Sequence, residues 1–157
     1  MPEKPRGGVT VHDVEQFVFL HKLLAKGHAS EVLLTAAILD QELRGAILQK
    51  MRPDLSEKKQ ERLFEGYGPL AEFAAKIEVA YALGQINEDI YAKLRIIKDI
   101  RNKFAHLPRE CTFWTGDISE LVAKFQCKEK ATHPQIFGMM AEECFDHLAR
   151  KATEATQ

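Results

Sequence analysis

The stretch "IIKDIRNKFAHLP", residues 96–108, holds the residues of this chain best suited to do chemistry. Arg101, Asn102 and His106 stand at R-x4-H spacing. A histidine beside a buried arginine can run metal-free phosphoryl chemistry: the imidazole serves as general base or acid while the guanidinium stabilises the charge that develops on the phosphorus oxygens. The same residues also have a purely structural reading. Lys103 and His106 near a helix C-terminus satisfy the last carbonyls and favour the dipole, and Arg101 then serves to hold helices together.

The surrounding helix decides what Arg101 needs. At ~100° per residue, Ile90, Leu94, Ile97 and Phe104 share one face, and Arg101 falls within that apolar stripe. A guanidinium there keeps its charge, so it requires an acidic or carbonyl partner or must line a cleft or interface. Asp40 and Glu42, on the helix ahead, are the two expected acidic partners. If such a buried pair forms, Arg101→Ala should cost about 3 kcal/mol by orphaning a carboxylate. Pro108 pushes Leu107 out of the α region, so the helix is expected to end near Ala105, leaving His106 free to turn back toward Arg101.

Other constellations lead to exclusions. Cys127, His133, Cys144 and His147 are spaced C-x5-H-x10-C-x2-H, which is no zinc pattern, so neither a metal nor a cofactor is expected. No glycine-rich phosphate loop, nucleophile elbow or paired-acid motif occurs. Twenty-two Lys and Arg oppose twenty-three Asp and Glu, for a net charge of -1, without the basic excess that nucleic-acid binding draws on. A helix–"KGHAS"–helix arrangement would imitate a helix-turn-helix, but the reading helix would open with Ser30, Glu31, Val32, Leu33 and Leu34, one acid and then core residues. Direct DNA binding is therefore not expected. No apolar run reaches the ~18 residues of a membrane span, and the N-terminus carries no targeting signal. Three widely spaced cysteines suit the reduced thiols of a cytoplasmic protein.

The elements that must position these residues are helical throughout. With 45% hydrophobic and 29% charged residues, the composition is that of a globular chain. Residues 1–157 are expected to form one all-α domain, a bundle of about six to seven helices. The first helix is predicted over Val11–Lys26, with Val14, Phe17, Val18, Leu20, Leu23 and Leu24 inward, and Gly27-His28 as a break. The second runs from Ser30 to Met51, with Val32, Ala36, Leu39, Leu43, Ala46 and Ile47 buried. A short helix capped by Ser56 follows, then a turn at "EGYGPL". The next helix is predicted over Pro69–Leu83, with Leu70, Phe73, Ile77 and Tyr81 inward and Gly84 as its stop. Asn87 should cap a helix over Glu88–Ala105. "PRECTFWTGD" reads as a loop whose aromatics pack on the bundle. Two C-terminal helices are predicted within 117–151, from Asp117 or Ser119 to about Phe125 and from Gln135 to about Lys151, before a fraying tail.

The segment 64–106, "FEGYGPLAEFAAKIEVAYALGQINEDIYAKLRIIKDIRNKFAH", resembles the mannitol operon repressor family, most of all in "GPLAEFAAKIEVAYALGQI" and the "IRNKFAH" ending. The upstream "AAILDQELRGAIL" is similar to that family's acidic-apolar second helix, so the family-like core covers roughly 30–107. The resemblance implies an all-helical cytoplasmic protein that represses genes for uptake and use of mannitol or a related sugar alcohol. With no DNA-reading helix in the sequence, the mechanism expected is contact with another transcription regulator or an operon-encoded protein, and a homodimer is expected. "RNKFAH" is also similar to the R-x4-6-H motif of HEPN-type helical domains, some of which are metal-independent ribonucleases. That second resemblance implies Arg101, Asn102 and His106 as active residues, with Asp40 or Glu42 as polar support.

Overall fold

The computed structural model describes residues 10–106 and 110–154. Among them are six helices and no strand: α1 (Val11–Leu48), α2 (Glu57–Phe64), α3 (Phe73–Ala82), α4 (Glu88–His106), α5 (Gly116–Ala123) and α6 (His133–Glu154). The all-α bundle expected from the sequence is the fold observed.

α1 starts at a capping box. Thr10 accepts from the backbone N–H of Asp13, and the Asp13 carboxylate takes the Thr10 backbone N–H in return at 2.8 Å, satisfying two of the helix's orphan donors. The break predicted at Gly27-His28 does not occur, and 38 residues run as one helix. A mid-helix glycine costs only ~1 kcal/mol relative to alanine, and the residues around it are held: Ala25 and His28 are both buried. Only from Ala25 onward does α1 enter the bundle. Val32, Ala36, Leu39, Leu43, Ala46 and Ile47 are buried as predicted, but Val14, Phe17, Val18, Leu20, Leu23 and Leu24 are all exposed. The first half of α1 overhangs the bundle.

α4 is the central helix, packed against α1, α3, α5 and α6. Asn87 caps it, its Oδ1 accepting from the Ile90 N–H at 2.9 Å. Ile90, Leu94, Ile97, Ile100 and Phe104 form its buried stripe, meeting Leu39, Leu43 and Ile47 of α1, Ile77 of α3 and Phe137 and Leu148 of α6 in one core. Ion pairs join α4 to its neighbours: Lys93 to Glu143 of α6 at 2.5 Å, and Lys103 to Asp117 of α5 at 2.8 Å.

α3 begins four residues later than predicted because Pro69 belongs to a tight turn. The Leu70 N–H reaches back to the Leu63 carbonyl at 2.8 Å, and the Gly68 N–H to that of Glu65 at 2.9 Å. A methyl group on Gly68 would lie 2.4 Å from the Leu63 carbonyl oxygen, so only glycine fits there. Gly84, at φ +67°, follows α3 in the left-handed conformation that ends helices. Tyr81, predicted inward, is exposed instead. It stacks on Tyr91 at 4.4 Å and donates to Glu88, while Tyr91 donates to Glu78, a polar clasp on the outside of the α3–α4 hairpin. Ser56 occupies the N-cap of α2 but makes no side-chain cap bond.

The polar link between α1 and α3 is Lys76. Its side chain is 3% exposed, and its ammonium contacts both Asp40 oxygens, at 2.8 and 3.0 Å, and the Ala71 carbonyl at 3.0 Å. All three ammonium hydrogens thus have an acceptor. Removing one partner leaves a buried charge uncompensated, whereas replacing both with apolar groups avoids that penalty. Asp40→Ala should therefore lower stability by about 3 kcal/mol in urea unfolding, and Lys76→Met in the same chain should recover most of the loss.

Candidate functional site

A cleft of about 400 Å³ opens where α1, α4 and the start of α3 meet, lined by Leu33, Ala36, Ala37, Asp40, Ala71, Glu72, Phe73 and Arg101. The small side chains of Ala36, Ala37 and Ala71 leave the space unfilled. Arg101 is half-buried on its α4 wall, and its Nη1 donates to the Oδ1 of Asn102 at 3.0 Å.

The acidic partner expected for Arg101 goes elsewhere. Asp40 faces the same cleft but is held by Lys76, and Glu42 does not line it. The competition has a simple outcome. The Lys76 ammonium is almost wholly buried and cannot do without a counter-charge, while the half-exposed Arg101 keeps contact with water. Among the described residues Arg101 makes no ion pair. The cleft therefore presents a guanidinium fork with no carboxylate upon it, beside apolar Leu33 and Phe73 and with exposed Glu72 at the rim. Such a fork suits a carboxylate or a backbone carbonyl of an incoming group.

His106 is not brought to this cleft. α4 stays helical through His106, and the imidazole is exposed. Five residues of continuous helix place it ~140° round from Arg101. The turn back that Pro108 was expected to allow does not happen at His106, and Pro108 itself lies outside the described residues.

Three other histidines, His28, His133 and His147, serve as ties. The Phe113 amide is gripped on both sides: its N–H donates to Nδ1 of His28 on α1 at 3.3 Å, and its carbonyl accepts from Nδ1 of His133 on α6 at 3.0 Å. Phe113 is fully buried, edge-on to Phe104 and close to Phe137, while its neighbour Trp114 is half exposed. The expectation that the loop's aromatics pack on the bundle thus holds for Phe113. His147 donates to the Gln85 carbonyl, and Cys127 lies 3.9 Å from that of Glu129. Burial pushes the Cys144 thiol up to about 12. Among the described residues no group of three potential ligands converges as a metal site.

Two residues that organise this region escaped the sequence reading. Lys76 falls three residues after Phe73 and four before Ala80, on the buried face of α3, so an i, i+3, i+7 reading would have found it. His28 was absorbed into the supposed break at Gly27.

Comparison with known proteins bears on the whole bundle. The family model described as mannitol repressor matches residues 33–156. The chain belongs to the mannitol repressor family. It is 26% identical over 121 residues to the mannitol operon repressors of Escherichia coli strains K12 and O6:H1, an alignment covering 75% of this chain and 62% of each relative. The chain thus spans under two thirds of the length of these curated relatives. No solved structure matches it significantly. The matched residues include the Asp40–Lys76 pair, the cleft and Phe113 with His133, while His28 lies before them.

His28 gives the site a pH dependence. As acceptor for the Phe113 N–H, its Nδ1 must be unprotonated, and burial holds the imidazole below the ordinary 6.5. The unfolded chain therefore takes up the proton first as pH falls. The resulting stability is fully present above about 6.5 and lost below it, toward the lowered folded value. Thermal unfolding from pH 7.5 to 5.5 should show a falling Tm, and His28→Asn, whose Oδ1 can replace Nδ1 without titrating, should flatten that slope. Arg101→Ala should change stability by less than about 1 kcal/mol in urea unfolding, since no buried pair is broken.

Proposed function

We propose that this protein is a transcriptional repressor of genes for uptake and use of a sugar alcohol, acting through contacts with another regulator or an operon-encoded protein and not through a DNA-reading helix of its own. The observation that carries this reading is the family match over residues 33–156, which spans the bundle and its cleft. The mannitol operon repressors it resembles over 62% of their length supply the regulatory role.

The geometry supports the indirect mechanism at two points. The segment "KGHAS", which could have been the turn of a helix-turn-helix, is continuous helix within α1. The cleft offers an arginine fork that makes no ion pair among the described residues, flanked by apolar walls, which suits an acidic or carbonyl-bearing segment of a partner protein. The reading is non-enzymatic and places the protein in the cytoplasm. Among the described residues no helix is long and apolar enough to cross a membrane.

Chromatin pull-down of the protein from cells grown with and without the sugar alcohol, with and without the candidate partner repressor, tests the mechanism. Promoter recovery should require the partner, and sequence-specific binding at nanomolar concentration by the purified protein alone would sink it. Arg101→Glu should raise a reporter of the regulated operon severalfold, toward the level of a deletion strain, while leaving Tm within a few degrees. RNA cleavage in EDTA that disappears with His106→Ala would replace the repressor reading with a ribonuclease.

A further inference from the structure

We infer that the first half of α1 is a self-association element, and that two copies of this chain pair antiparallel through residues 11–26. The stripe that enters the core as Ala25, Val32 and Leu39 continues N-terminally at the same seven-residue spacing through Val18 and Val11. Val14, Phe17 and Leu24 flank it on the same face. In the bundle this face is covered, whereas on the overhang Val11, Val14, Phe17, Val18 and Leu24 are 44–77% exposed. This segment precedes the residues that match the family model, 33–156, and the inference does not depend on the repressor reading.

The area is that of an interface. Five large apolar side chains, Val11, Val14, Phe17, Val18 and Leu24, are exposed on this face, and at roughly 100 Å² apiece they present on the order of 500 Å² per chain. Two copies would bury about 1,000 Å², the size a specific interface has to reach.

The charges select the occupant. Residues 11–26 carry Asp13 and Glu15 near one end and Lys22 and Lys26 near the other, for no net charge. A membrane-surface helix would carry a basic polar face; this one is neutral with its charges sorted by end. Glu15 and Lys22 are seven residues apart and so stand on the same flank of the stripe. Antiparallel pairing about an axis between Val18 and Phe19 brings Glu15 of each copy beside Lys22 of the other, twice over by symmetry. Among the described residues of its own chain, Lys22 meets Glu110 at 3.9 Å, and both side chains are about half exposed.

Analytical ultracentrifugation of the full chain between 1 and 100 µM decides the matter. Wild type should sediment as two chains, and Phe17→Glu should weaken association at least 100-fold while retaining helical circular dichroism. Glu15→Lys should weaken it about tenfold, and adding Lys22→Glu to the same chain should restore it. A wild type that is monomeric at 100 µM, or a Phe17→Glu variant that remains dimeric, overturns the proposal, and a failed rescue overturns the antiparallel register.

Discussion

One ammonium sets the terms for the centre of this molecule. Lys76 is buried on the inner face of α3 and takes both oxygens of Asp40, so α1 and α3 meet at a fixed register, with their apolar faces turned toward α4. A charge at that depth has no tolerable alternative to its carboxylate. Because Asp40 is committed there, Arg101 across the cleft is left without an acid among the described residues. The cleft's most reactive feature is thus a by-product of how the fold satisfies a different cation.

The histidines follow the same economy. Three histidines that might have suggested a metal or a catalytic dyad are spent on backbone groups: His28 and His133 on the two sides of Phe113, His147 on Gln85. The first two fix the segment that follows α4, and with it Phe113, whose ring completes the core beside Phe104 and Phe137. The match to the mannitol repressor family spans residues 33–156 and so includes Phe113, His133, Gln85 and His147, while His28 lies before it.

Much of this was legible in the sequence, for identifiable reasons. The 3.6-residue period located the helices and the inner stripe of α1 from Val32 to Ile47, and Asn87 and Gly84 announced boundaries that cap chemistry enforces. Arg101 was recognisable as an anomaly because its position in a stripe can be read locally. Which acid it would meet could not be read, since that depends on a second cation from another helix competing for Asp40. The N-terminal stripe misled for a related reason: amphipathic periodicity says that a face is meant to be covered, and not by which chain. Gly27 was overweighted, because a helix anchored at its buried neighbours Ala25 and His28 absorbs a glycine.

The continuity of α1 through Gly27 has a mechanical consequence. Val11 and Asp40 lie on one rod, ~43 Å apart at 1.5 Å per residue. A tilt of only ~5° about the cleft wall would sweep the far end through about 4 Å, so the fold carries a built-in lever arm. Motion too slight to disturb the packing around Asp40 is magnified at the tip, and a restraint on the tip bears on the cleft with the same advantage.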